Sequence, residues 1–163
     1  MKYLITLFFG LSLISCNSTA QDKKDQKEFP VTKTEAEWKA QLSDEEYYIL
    51  RQAGTERPFS SELNKIYEPG TYVCAACKTP VFKGEHKFDS GTGWPSFDRA
   101  IEGNVEYATD YDLGYGRTEE HCATCGGHLG HVFDDGPRET TGKRHCINGD
   151  ALDFIPAKGK TSQ

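Results

Sequence analysis

Apolar positions fall into three textures along this 163-residue chain. Residues 3–14 are apolar except for Thr6, Gly10 and Ser12, and Lys2 stands in front of them. A membrane-spanning helix needs about 20 apolar residues, so this run has the length of a signal-peptide hydrophobic region instead. Residues 17–28 then carry nothing apolar large enough to pack, and such composition cannot offset the entropy of ordering. A flexible tether over 16–32 is expected.

Helical spacing appears next. Trp38 and Leu42 stand four apart in a stretch of helix formers, 34–42, and Ser43 followed by Glu46 matches a capping box that opens a second helix. That helix should stop near Gly54, and the breakers up to Pro58 predict an extended connection. From Gly70 the pattern changes to short runs of Val, Tyr, Phe and Ile between Gly and Pro. These predict strands at 70–74, 81–82, 105–110, 116–121, 131–134, 144–148 and 152–156, hence a mainly β fold behind short N-terminal helices. Residues 33–157 form the domain and 158–163 a tail.

Composition narrows the function. With 27% charged and 36% hydrophobic residues, the chain suits one globular domain. A net charge of -6 argues against a nucleic-acid partner, which would need clustered Lys and Arg to displace counterions. The leader ends Leu13-Ile14-Ser15-Cys16, similar to a bacterial lipobox, so residues 1–15 read as a lipoprotein signal peptide and Cys16 as the lipidated residue. That places the protein in the bacterial cell envelope, touching membrane only through its lipid. An ordinary cleaved leader with Cys16 incidental is the alternative.

Five more cysteines remain. Cys74 and Cys77, then Cys122 and Cys125, each have the spacing of a zinc knuckle, and two knuckles supply the four soft donors of one structural Zn2+. A disulfide framework is the rival in an oxidising compartment, and a mixed site using His128 or His131 a second one. Cys146 stands apart. If residues 144–148 form a strand, its period of two turns Arg144, Cys146 and Asn148 to one face, where a guanidinium favours thiolate over thiol. A buried cysteine packed as a small hydrophobe would look the same in sequence. His128 and His131 fall on opposite faces of a regular strand, and a bulge at Gly130 would bring both to one site. Either histidine could instead simply be packed. Trp94 lies in the Gly-rich run from Phe88 to Phe97, flanked by Gly93 and Pro95, which suits an indole presented on a loop rather than buried in a core.

Tyr72-Val-Cys74-Ala-Ala-Cys77, Ser90-Gly-Thr-Gly-Trp94-Pro-Ser-Phe97, the block from His121 to Pro137 and Arg144-His-Cys146-Ile-Asn148, in this order, resemble the peptide methionine-R-sulfoxide reductases, the B-type family. The likeness covers roughly 34–156. It implies two antiparallel sheets with N-terminal helices, a structural zinc, and reduction of the R epimer of methionine sulfoxide in oxidised proteins or peptides. It also implies roles: Cys146 the nucleophile, His131 the main proton donor, His128 and Asn148 its partners, Arg144 a support for the thiolate and Asp135 a residue behind it. Trp94 would receive the S-methyl group, with Phe97 beside it. Many members carry a resolving cysteine where this chain has Thr92, so a thioredoxin-like protein or a small thiol is expected to reduce the cysteine sulfenic acid directly. A zinc-stabilised peptide-binding module without turnover, and a thiol-disulfide oxidoreductase using one knuckle, are the readings from other classes.

Overall fold

The computed structural model describes residues 28–158. The leader 1–15, Cys16, the tether as far as residue 27 and the tail from 159 lie outside the described residues. Among the described residues two helices come first, α1 (Glu35–Gln41) and α2 (Asp44–Gln52). Each opens with a capping box, Thr34 with Glu37 and Ser43 with Glu46, and each box satisfies two amide donors that the first turn leaves without partners. Only the second box was read from the sequence. Ala53 ends α2 in the left-handed conformation (φ 53°), one residue ahead of the expected stop at Gly54. Trp38, Ile49 and Leu50 are the buried side of this pair.

Nine strands follow: β1 (Gly70–Cys74), β2 (Pro80–Lys83), β3 (Lys87–Phe88), β4 (Ser96–Phe97), β5 (Val105–Asp110), β6 (Arg117–Cys122), β7 (His128–Phe133), β8 (Arg144–Ile147) and β9 (Leu152–Pro156). They make two antiparallel sheets, as the family likeness implied. One has the order β2-β1-β9, the other β3-β4-β8-β7-β6-β5. The strands expected at 70–74, 105–110 and 152–156 have the observed limits. The two-residue strands β3 and β4 were missed, since neither is long enough to show alternation. β7 begins at His128 rather than at residue 131, and β8 ends one residue before Asn148.

The core lies between the sheets and under the helices. Phe82 of one sheet stacks on Phe97 of the other with centroids 4.5 Å apart, and Tyr72 meets Phe97 edge-on at 4.9 Å. Phe97 is fully buried there, so the expectation that it touches substrate is corrected: its ring joins the sheets from inside. A strand turns alternate residues to opposite faces. Phe97 therefore points into the core while its neighbours Trp94 and Thr92 come from the loop on the outer side.

β8 occupies the middle of the six-stranded sheet, bonded to β4 and to β7. Its inward residues His145 and Ile147 are buried, and its outward residues Arg144 and Cys146 are partly exposed. His145 Nδ1 meets the fully buried Glu120 Oε1 at 2.6 Å, an ionisable pair on the core side of the strand that carries Cys146.

Candidate active site

Register places the chemistry. On β8, Cys146 pairs with Ser96 of β4 on one side and His131 of β7 on the other. Directly paired residues in a sheet present their side chains to the same face. Cys146 and His131 accordingly line one cavity of about 150 Å³, together with Thr55, Trp94, Arg117, Gly130, Phe133 and Asn148. This space is well below the 300–1,000 Å³ usual for whole small-molecule ligands, and it suits a single side chain. A larger concavity of about 650 Å³ runs between residues 43–66 and 149–154, but its lining holds no cysteine and no histidine.

The bend expected between the two histidines is present. On β6, Glu120 pairs with Gly130 and His121 with His128, so Leu129 is an extra residue on β7 and forms a bulge next to Gly130. The rings of His128 and His131 consequently meet edge to face with centroids 5.5 Å apart. Gly130 has a further reason to be glycine. A Cβ there would fall 2.1 Å from the Cys146 carbonyl oxygen, so any side chain would push β7 away from β8.

His131 Nε2 lies 2.8 Å from Asp110 Oδ2, and Asp110 is also paired with Arg117. The Asp112 amide, the His131 bond and the Arg117 charge hold the Asp110 carboxyl down at about 2. A carboxylate only accepts, so it takes the Nε2 proton of His131 and leaves Nδ1 as the basic nitrogen. Burial, helped by Arg117 and His128, pushes the imidazole below its ordinary value against the pull of Asp110, which favours the neutral ring. His128 sits deeper. Its Nδ1 is 2.7 Å from Glu119 Oε1, and it opens on an adjoining cavity of about 230 Å³ that His131 also lines.

Around the sulfur, Arg144 is gripped by Asp135 through two bonds of 2.8 and 2.9 Å and lies over the Phe133 ring at 4.4 Å. Thr92 Oγ1 is 4.0 Å from Cys146 Sγ. Burial nevertheless pushes the Cys146 thiol up, and Arg144 and Thr92 only partly pull it back. Desolvation opposes the expected thiolate and outweighs a guanidinium whose charge is already shared with Asp135.

Asn148 follows β8 rather than belonging to it, yet its amide still reaches the cavity wall. Oδ1 accepts from Glu56 N at 3.0 Å and Nδ2 donates to Leu129 O at 3.1 Å. Trp94 forms the opposite wall, half-buried, with Nε1 donating to Glu56 O at 3.3 Å. Asp110, Arg117, Glu119, Thr55, Glu56 and Phe133 were not read from the sequence. For two of them a signal existed: the expected strands at 105–110 and 116–121 flank a short Gly-containing turn, which sets Asp110 opposite Arg117. The segment 55–56 carries no such mark.

The four other described cysteines converge outside this cavity. Their sulfurs all lie within 4.8 Å of one another, with Cys74 and Cys125 at 3.7 Å and Cys77 and Cys122 at 3.5 Å. Tetrahedral thiolates about 2.3 Å from a zinc ion would be about 3.8 Å apart, so the set fits one such ion. Both knuckles fold alike. Lys78 N bonds Cys74 O and Gly126 N bonds Cys122 O, each at 2.8 Å, and Lys78 and Gly126 are both left-handed. β1 and β6 belong to different sheets, so a metal here would join two sheets rather than two parts of one.

Residues 42–156 match the family described as SelR domain. Among curated proteins, a peptide methionine sulfoxide reductase MsrB of Chromohalobacter salexigens is 49% identical over 129 residues, covering 78% of this chain and 97% of its own length. The protein of the same name from Leifsonia xyli is 49% identical over 130 residues, covering 79% and 94%. Methionine-R-sulfoxide reductase B3, mitochondrial, of Mus musculus is 39% identical over 164 residues, covering all of this chain and 64% of the mouse protein.

Proposed function

The chain belongs to the SelR-domain family, the B-type methionine sulfoxide reductases, and from that premise we propose that Cys146 and His131 together reduce the R epimer of methionine sulfoxide in peptides. The observation that carries the reading is their direct pairing across β7 and β8 in a cavity walled by Trp94. The methyl end of the substrate rests on the indole, with the sulfoxide oxygen toward the histidine and the sulfur toward Cys146.

Sulfoxide oxygen leaves only when protonated, and a buried thiol attacks only when its proton is removed. A neutral His131 meets both needs. Nδ1 takes the Cys146 proton as the sulfur attacks, then delivers it to the sulfoxide oxygen. Asp110 holds the ring through Nε2 and stabilises the transient imidazolium, and Arg144 offsets the charge growing on sulfur. The oxygen and its proton end on Cys146 as a sulfenic acid, and the substrate sulfur leaves as a thioether.

An external thiol then attacks the sulfenic sulfur, water leaves, and a second thiol exchanges with the mixed disulfide to restore Cys146. A thioredoxin-like protein or a small thiol suits this step, because Thr92 holds the resolving position and the other four described cysteines stand in the remote cluster. Zn2+ on Cys74, Cys77, Cys122 and Cys125 would supply a structural crosslink and no step of the reaction.

Separate R and S sulfoxide peptides, assayed with a thiol reductant, test the reading. Turnover of the R epimer alone is expected, and Cys146→Ser should remove at least about a thousandfold of it. Absence of turnover on both epimers would overturn the proposal.

A further inference from the structure

Bonds from two walls of the cavity converge on residue 56. Its N–H donates to Asn148 Oδ1 at 3.0 Å, and its carbonyl accepts from Trp94 Nε1 at 3.3 Å. Three residues on, Phe59 N–H donates to Gly93 O at 2.7 Å, fastening the same segment to the loop that carries Trp94. The side chain of Glu56 points elsewhere. Its Oε2 accepts from Asp150 N at 2.9 Å, and the residue is only 8% exposed.

A carboxyl this buried is costly unless donors surround it. The donor to Oε2 belongs to one 3-10 turn, Gly149–Ala151, whose N-cap is Asn148, while Oε1 is buried without a hydrogen-bond partner among the described residues. Asparagine at an N-cap ordinarily turns its own oxygen onto the following amides. Asn148 makes no such bond, because both ends of its amide are engaged by Glu56 N and Leu129 O. Glu56 caps the turn in its place. Gly149 leaves room for this: a Cβ there would fall 2.0 Å from Ser61 Oγ and 3.4 Å from Glu56 Oε1.

We propose that Glu56 is a positioning residue for sulfoxide reduction, a surrogate cap that lets the Asn148 amide stay fixed in the cavity wall and, through its own backbone, sets the Trp94 wall. The inference rests on the reductase reading above. Its logic runs through one anchor. The carboxyl pins residue 56 to the turn, and the pinned backbone then holds an amide on one side and an indole on the other. Without the anchor, Asn148 can rotate back to cap its own turn and Trp94 loses the acceptor that fixes its tilt.

The test compares Glu56→Ala, Glu56→Asp and Glu56→Gln in the full chain. Asp keeps the charge but is one methylene too short to reach Asp150 N, whereas Gln keeps the reach and an acceptor oxygen. Ala and Asp should lower kcat/KM on the R sulfoxide between about tenfold and a hundredfold, with KM rising more than kcat falls, because misplacement near 1 Å is enough for such losses. Gln should recover most of the loss. The indole N–H resonance of Trp94 should shift and exchange faster in Ala and Asp while that of Trp38 stays in place, a response that a general loss of stability would not give.

The proposal is overturned if Glu56→Ala keeps kcat/KM within twofold of wild type, if Gln is as impaired as Ala, or if both indole signals move together with a falling melting temperature. Should Ala fail to fold, Asp against Gln carries the same contrast. Should wild type show no turnover at all, the reductase reading fails, and the Trp94 resonance alone still supports or sinks the clamp.

Discussion

The chain holds two sulfur centres built on opposite plans. In the four-cysteine cluster, each half is a single turn of backbone, folded the same way twice, with its cysteines three positions apart. In the Cys146 cavity the participants come from six separate stretches of chain: residues 55–56, 92–94, 110, 117, 130–133 and 144–148. The first centre needs its sulfurs locked and inert, the second needs one sulfur reachable and able to change bonds. On the proposed reading, a motif repeated locally carries stability here, and long-range sheet register carries chemistry.

The sharpest way to separate the two is to remove the metal ligands. Structural zinc sites contribute about 10–16 kcal/mol in small peptides, comparable with the about 5–15 kcal/mol that holds a whole domain together. Chelation with heating, or Cys122→Ser, should lower the melting temperature by more than about 10 °C, since even part of such a loss exceeds what single surface changes do. Calorimetry with and without chelator checks this. Cys146→Ser should leave the melting temperature nearly unchanged while abolishing turnover. If metal removal spared the fold, the cluster would have lost its distinct role.

A second change converts one centre toward the other's chemistry. Thr92 Oγ1 stands 4.0 Å from Cys146 Sγ, so a thiol at this position needs only a small rotation to bond. Thr92→Cys should trap the sulfenic acid as an intramolecular disulfide within one turnover, reducing the free thiols by two per chain. Thiol titration and mass spectrometry after a single addition of sulfoxide peptide read the result. Wild type should show no internal disulfide to Cys146 under the same conditions.

The contrast also explains what could be seen before folding. Each knuckle announces itself, because ligand spacing and turn residues are adjacent in sequence. Cys146, Arg144 and His131 could be grouped because strand periodicity and one bulge suffice to bring them together. Glu56 and Phe133 could not. Their roles depend on which strand neighbours which, and the insertion of β8 between β4 and β7 leaves no mark within any one segment. The misplacement of Phe97 has the same origin: without the register of β4, nothing says which side of the sheet its ring takes. The opposition of burial to ionisation of Cys146 was not legible either, because a nearby cation is visible in sequence and burial is not.

Asp110→Asn tests the electrostatic half of the cavity. Asp110 raises the His131 pKa against burial and Arg117, so its removal leaves the imidazole lower still. Protonated His131 cannot take the Cys146 proton, and the acid limb of kcat/KM should therefore move to lower pH in the variant. At neutral pH the rate should fall by about tenfold, less than the hundredfold or more of losing the acid-base group itself. A pH-rate profile decides it. An acid limb that moved upward would mean that another group titrates.

The smallest effect is expected at Asp135, and its size is informative. Asp135 grips Arg144 with two bonds, but its own side chain is 63% exposed while that of Arg144 is 12% exposed. Water screens the acid more than the base, and exposed ion pairs contribute only about 0.2–1 kcal/mol. Asp135→Asn keeps an acceptor for one guanidinium bond and removes the charge that competes with the sulfur for Arg144. Two consequences oppose each other. Arg144 becomes less well oriented, which slows attack, yet its charge becomes more available to Cys146, which lowers a thiol pKa that burial has raised. The net change in kcat/KM should stay within about threefold, the span of such a pair, while the alkylation rate of Cys146 near pH 8 rises. A fall in both together would mean that Asp135 serves by orienting Arg144 alone, and the cavity would then depend on placement of the cation rather than on the charge it shares.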